Sequence, residues 1–299
     1  MRVFVTGSSA CLAQALLPRL CAEPGIERVT GVDRAAPRFA HPKFRAHRLD
    51  LRDPRLPELL AGHDALVHLA FVVLRGRMSA REMHEINVQA GLALFRAARR
   101  AGIGRLILMS SAAVYGSGVN VTEEAPFAPL PRFLYGQHKA ELERLLEAEF
   151  PDCVRLRPHL ILGRHAQPLL GRLLDLPLYP ALPDPQPRLQ CVHEEDVASA
   201  VLLALASEAA GPFNLAAEDS FSYRDVIRAR HRASFAVPRV AARAGLELAW
   251  RLWGWGGEPA WIEGLAATLL LDCRRAHSVL GWRSTRRAAQ MLAHNALRA

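Results

Sequence analysis

The sequence predicts an α/β fold: a doubly wound parallel sheet with helices on both faces, and a smaller, mainly helical lobe toward the C-terminus. Two observations carry that expectation. Short apolar runs alternate with amphipathic stretches from Arg2 to Leu215, which is the rhythm of repeated strand–helix–strand units. Apolar residues make up 51% of the 299, enough to cover a parallel sheet on both sides.

The elements follow in order. Arg2-Val-Phe-Val-Thr6 is a short strand that stops at Gly7, and an amphipathic pattern runs from Cys11 to Cys21. Strand, glycine turn, helix is how a Rossmann-type dinucleotide fold opens. A second strand, Arg28 to Val32, closes on Asp33, and a third covers Phe44–Leu49 and leads into Asp50 and Leu51. A short helix is expected after Pro54. Asp64–Ala70 has the pattern of a buried strand, and Phe71-Val-Val extends its apolar surface. Arg81–Ala101 predicts one long helix with Ile86, Leu92, Leu94 and Phe95 inward. Arg105–Met109 is the next strand, Tyr135 heads a helix that runs to Phe150, and Cys153–Arg157 is a further strand. Prolines crowd Gly163–Pro187, which predicts loop with a short helix at most. Glu195–Ser207 returns to helix and Pro212–Leu215 to strand; after Ser220 the pattern is helical to the end, broken at Gly254–Gly257. A cofactor domain is therefore expected at 1–163 plus 189–217, and a substrate lobe at 164–188 plus 218–299.

Composition excludes several classes. No apolar run approaches the roughly 20 residues of a membrane span, and the chain enters its first strand with no basic leader, so a cytoplasmic protein is expected. Five scattered cysteines without a paired motif point to reduced thiols, not to a disulfide frame or a zinc site. Twelve histidines lack a ligand spacing such as HExxH, so no metal is expected. The net charge is +9, but the basic residues are spread evenly and no nucleic-acid motif accompanies them, so no nucleic-acid partner is expected. Among 38 basic residues only Lys43 and Lys139 are lysines. In such a chain a lysine at 139 suggests a need for a compact ammonium.

Three groups of residues suggest chemistry. The Gly7 turn has one glycine where a full dinucleotide turn has three, and Ala10 places a methyl where the backbone would approach a pyrophosphate. Taken alone it fits an ordinary strand–helix turn equally well. Asp33, at the end of the second strand, is placed to accept hydrogen bonds from ribose hydroxyls; this favours NAD, while Arg34 leaves NADP open. Tyr135 and Lys139, four apart, share one helical face, where an ammonium would favour phenolate and lower the tyrosine pKa. Ser111, at the end of the fifth strand, could bond the same substrate oxygen. A chance Tyr-xxx-Lys pair on a surface helix is common; the position after a βα series favours function. His193-Glu-Glu-Asp196 reads as a capped helix start, and the tryptophans at 250–282 as local packing.

The motifs TGSSACLA, GVDR, LDLRD, VHLAF, INVQAG, LILMSSAAVYG, YGQHK, LRPHLILG, CVHEEDVASA and GPFNLA, in this order, resemble the extended short-chain dehydrogenase/reductase family, the NAD-dependent epimerase/dehydratases. Its members act largely on nucleotide sugars. The resemblance covers about residues 1–217, with a weaker echo in HSVLGWRST. It implies Ser111, Tyr135 and Lys139 as the catalytic trio. Gly7, Ser9, Ala10, Cys11 and Leu12 would form the phosphate turn. Asp33 and Arg34 would sit at the adenosine ribose, Asp50 and Leu51 at the adenine. Leu69, Ala70 and Phe71 would line the phosphate and nicotinamide-ribose path, with Asn87 beneath, and Pro158 and His159 would close over the nicotinamide. A homodimer through the helices at 81–101 and 135–150 is likewise implied.

Departures from the family pattern narrow the function. Ala112 and Ala113 stand where family dehydratases carry an acid pair. Leu160 replaces a common asparagine, Arg164 follows Gly163 in place of proline, and Arg188 is one residue out of register with a phosphate-binding arginine. The expected function is an NAD-dependent nucleotide-sugar epimerase with Tyr135 as acid and base. The alternatives are a dehydrogenase or reductase of a smaller or more apolar alcohol or ketone, and a dinucleotide-binding regulatory protein with little turnover.

Overall fold

The computed structural model describes residues 1–165, 178–181, 186–231, 233–238 and 266–293, with scattered positions between 240 and 248. In chain order the strands are β1 (Arg2–Thr6), β2 (Arg28–Asp33), β3 (Phe44–Arg48), β4 (Ala65–His68), β5 (Arg105–Met109), β6 (Gly118–Val121), β7 (Val154–Pro158), β8 (Leu160–Leu162), β9 (Leu178–Ala181), β10 (Cys191–His193), β11 (Gly211–Leu215), β12 (Ala233–Ala236) and β13 (Leu269–Leu271). Seven of them form one sheet in the order β11-β7-β5-β4-β1-β2-β3, and every pairing in it is parallel. This is a Rossmann-like sheet. The order reverses between β1 and β4, so a crevice opens at their carboxyl ends, where a doubly wound sheet binds its ligand.

Burial follows the layers. β4 and β7 are buried along their whole length, whereas β3, at the sheet edge, buries only Phe44. One face of the sheet packs on helix α1 (Cys11–Ala22) and on the Glu194–Leu205 helix through Leu16, Leu20, Val197 and Val201. The opposite face packs on α2 (Leu56–Leu59), α4 (Gly91–Arg100) and α5 (Leu134–Glu149) through Leu56, Phe95, Leu142 and Leu146.

Three expectations change. The long helix at 81–101 is three pieces: α3 (Ala80–His84), a π-helical turn at Glu85–Ala90, and α4. A π turn carries an extra residue, which a 3.6-residue pattern cannot reveal. The region after Ser220 is not helical throughout, since β12 pairs with β9 and β13 with β6. Leu269–Leu271 is an apolar run too short for its period to separate strand from helix. A strand at Leu178–Ala181 also falls in what was expected to be loop.

Trp282 is 1% exposed within the main core, and its Nε1–H donates to the Asp196 carbonyl at 2.7 Å. The Asp196 carboxylate accepts from the Thr285 backbone (3.0 Å) and hydroxyl (2.7 Å), while His193 caps the helix through the Glu195 N–H. The acidic helix start thus anchors the C-terminal segment. Trp250, Trp253, Trp255, Trp261 and the Gly254–Gly257 break lie outside the described residues.

Candidate active site

Three strand ends and two helix starts meet at the crevice. Gly7 has φ +74°, and a Cβ there would sit 2.6 Å from the Ala70 nitrogen. The turn after β1 therefore lies directly against the chain leaving β4, which only glycine permits. The α1 helix that follows has Ala10 at its N-cap position and no side-chain cap. The Cys11 and Leu12 amides of its first turn are left for an outside acceptor, the arrangement that binds phosphate, while the Ala13 N–H bonds the Ala10 carbonyl at 3.1 Å. Ala10 has ordinary extended backbone (φ −66°, ψ 163°), so its methyl adds bulk but no strain. Leu12 turns its side chain into the core, so only its amide faces the turn. The Cys11 thiol is pushed up by burial.

Asp33 braces the turn. Its carboxylate accepts from the Ser9 N–H at 3.0 Å and the Ala35 N–H at 2.8 Å, and it keeps lone pairs for further donors. The Ser9 hydroxyl donates to the Ala36 carbonyl at 3.0 Å. Asp50 is held by Arg52 (2.9 Å) and lies 3.5 Å from Arg34; the Arg52 hydrogen bond leads in lowering its pKa. Leu51 packs beside it against the second core.

Asn87, 1% exposed, points from the π turn into the loop after β4. Its Nδ2 donates to the Val72 carbonyl at 3.0 Å, and its Oδ1 accepts from the Val72 N–H at 2.7 Å. This two-way clamp fixes Phe71, whose ring stands edge-on to Tyr135 with centroids 5.6 Å apart. The Lys139 ammonium lies 3.6 Å from the Phe71 ring centroid and donates to the Met109 carbonyl at 2.6 Å.

Ser111, Tyr135 and Lys139 come together. Ser111 begins a short 3-10 turn at Ala112–Val114, and its Oγ accepts from the Ala113 N–H at 3.2 Å. The same side chain lies next to the Tyr135 hydroxyl. Burial raises the Tyr135 pKa, and Ser111 pulls it partway back. This corrects the expectation of a lowered tyrosine pKa: Ser111, not Lys139, supplies the opposing pull, and the Lys139 nitrogen is 5.8 Å from the ring centre. Burial pulls Lys139 itself down to about 7, against the charge of Glu143.

Both ring nitrogens of His159 are engaged, Nδ1 with the Leu160 N–H at 2.8 Å and Nε2 with the Leu269 carbonyl at 3.0 Å. The ring is thus the neutral Nε2–H form, with its pKa lowered to about 4 by burial. Pro158 ends β7 opposite Leu215.

The sequence reading missed the groups behind the trio: Ser110, Tyr115, Glu143 and Arg157, all buried. Their signal was present in Arg155 and Arg157, two arginines in an otherwise apolar strand, and in a glutamate one turn beyond Lys139.

A model of the NAD-dependent epimerase/dehydratase family matches residues 3–216. The chain belongs to that family. An uncharacterised protein of Mycobacterium tuberculosis is 31% identical over 257 residues, 79% of this chain and 67% of the relative. A 4-hydroxy-2-methyl-3-oxo-4-farnesyl-3,4-dihydroquinoline-1-oxide ketoreductase of Stigmatella aurantiaca is 33% identical over 186 residues, 58% of this chain and 54% of that protein. The structure of a UDP-glucuronic acid 4-epimerase from Bacillus cereus with NAD superposes with a TM-score of 0.78 over 100% of this chain and 99% of that one, at 18% identity. That likeness is one of fold. The uncapped α1 amides, the Gly7–Ala70 contact and Asp33 fit the family's dinucleotide. Among the described residues no cluster of His, Cys, Asp or Glu could hold a metal, and no helix is long and apolar enough to cross a membrane.

Proposed function

We propose that this family member moves a hydride at a carbinol carbon with NAD, and that on a nucleotide sugar the net reaction is epimerisation. The observation that carries the reading is the Ser111–Tyr135 pair beside Lys139, followed by Ala112 and Ala113 and not by an acid pair. NAD, when bound, accepts and returns the hydride. Tyr135 takes the proton of the substrate hydroxyl and later gives it back, and Ser111 donates to the same oxygen as it becomes a carbonyl. Lys139 supplies positive charge beside them. Elimination of water would need an acid and a base flanking the neighbouring carbon, which the methyls of Ala112 and Ala113 cannot provide. NAD is favoured over NADP because Arg34 lies toward Asp50 and Asp33 stands at the ribose end. Purified protein incubated with NAD and UDP- or GDP-sugars should scramble the stereochemistry of one carbinol carbon, read by NMR. No exchange with any of them defeats the epimerase reading.

A second reading, reduction of an apolar ketone, is favoured by Leu160 and by the apolar stretch Phe71–Leu74 beside the trio. Arg188, the arginine nearest in sequence to the family's phosphate contact, is bound to Ser220 and lies 3.5 Å from Asp225. The Stigmatella relative is named as a reductase of a farnesylated ring ketone. Stoichiometric NADH oxidation with lipophilic ketones would favour this reading. NAD binding by calorimetry without any turnover would leave a regulatory protein.

A further inference from the structure

A fully buried ionic network lies behind the trio, and the hydride step does not use it. Glu143, 0% exposed, sits on α5 one turn past Lys139. Its carboxylate accepts from Arg157 Nε at 3.0 Å and Nη2 at 2.7 Å, and from the Ser110 hydroxyl. Arg157 also donates to the Tyr115 oxygen at 2.5 Å and the Glu123 carbonyl at 3.1 Å. The Tyr115 hydroxyl donates to Asn214 Oδ1 at 2.8 Å, tying the network to β11.

The pattern is regular. Three successive residues at the end of β5 each meet a different turn of one face of α5. The Met109 carbonyl accepts from Lys139, the Ser110 hydroxyl donates to Glu143, and Ser111 lies next to Tyr135. Residues 135, 139 and 143 are four apart, so they share that face. A buried ion pair is a weak source of stability, because desolvating both charges consumes much of their attraction, and apolar residues of like volume often serve as well. Its presence here calls for a purpose beyond stability.

We propose that Glu143, held by Arg157 and Ser110, is a positioning residue that locks the Ser111 strand end against the Tyr135–Lys139 helix and keeps the Lys139 ammonium charged in a dry site. The groups facing Lys139 are Tyr135 and Glu143 on its own helix, His68 from β4, the Phe71 ring, the Met109 carbonyl of β5, and Arg155 and Arg157 of β7 beyond Glu143. His68 is neutral, with its pKa lowered to about 3 by burial and then by the Lys139 charge. Glu143 is the anion in that set, and it opposes the effect of burial on Lys139. The role rests on the proposed use of Lys139 in turnover, but its test needs no substrate.

The chain has only two lysines, so protein labelled with 13Cε-lysine gives two side-chain signals. One belongs to Lys43, and the other should titrate with a midpoint near the value of about 7 given for Lys139. Glu143→Gln keeps the shape and removes the charge. It should lower the Lys139 midpoint by about 1 pH unit or more, the effect of one close charge, and leave Lys43 unmoved; Glu143→Asp should recover most of the loss. Because Glu143→Gln strands the Arg157 charge, Glu143→Gln/Arg157→Met provides a background with neither, and the midpoint should again fall below wild type. An unchanged midpoint in either variant overturns the proposal. Failure of both to fold, judged by circular dichroism, assigns the pair to stability alone and overturns it equally. A wild type with no turnover would defeat the proposed function and leave the Lys139 titration as predicted.

Discussion

The Ser111 oxygen accepts from the Ala113 N–H and lies next to the Tyr135 hydroxyl. The turn fixes the serine beside the tyrosine, so the two are set together before any substrate arrives. Tyr135→Phe should therefore cut turnover by roughly 10²–10⁴, the usual worth of a positioned acid–base group, and leave NAD affinity by calorimetry nearly unchanged. Equal losses in both would mean that the hydroxyl serves binding, not proton transfer. The three residues were legible because a strand-end serine and a Tyr-xxx-Lys spacing are properties of sequence order. The direction of the Tyr135 pKa shift was not, since it depends on burial, which spacing does not report.

Between residues and fold, the π turn at Glu85–Ala90 is the element that matters most to the site. It rotates Asn87 inward to hold both polar atoms of the Val72 backbone, and so holds the loop that carries Phe71 over Lys139. Asn87→Ala would leave a part-buried N–H and C=O without that clamp, at a cost of about 1–3 kcal/mol. Urea unfolding should show that loss, accompanied by weaker NAD binding; an unchanged midpoint would mean that water takes over both bonds. The motif INVQAG singled out Asn87, while the amphipathic pattern around it read as continuous helix. The central sheet strands were readable for the opposite reason. The central β1, β4 and β5 are apolar runs bounded by turns, whereas the three-residue β8, β10 and β13 are too short to show a period.

For the molecule as a whole, burial lowers the pKa of five buried histidines among the described residues: His68 to about 3, His138 and His159 to about 4, and His63 and His193 in the same direction. The unfolded chain protonates these rings near 6.5, so below that pH it binds more protons than the folded chain. The stability they contribute is full above about 6.5 and is lost as pH falls toward about 4. Burial of Lys139 adds the same sign at higher pH, with stability rising between about 7 and 10.5. Melting temperature should therefore climb with pH from 4 to about 6.5. A flat profile between pH 4 and 6.5 would mean that these rings are solvated.

The polarity of the parallel sheet also decides which end of the molecule amine chemistry can grip. Lys43 immediately precedes β3, its carbonyl accepts from Val29 at the start of β2, and its ammonium reaches the Glu23 carbonyl. It thus marks the amino ends of the strands, while Thr6, His68 and Met109 mark the carboxyl ends and the crevice. With Lys139 sealed at 3% exposure, a reagent that couples lysine side chains meets a surface whose charge is carried by arginine and has one handle. A protein tethered there stands with its strand-end crevice facing the solution.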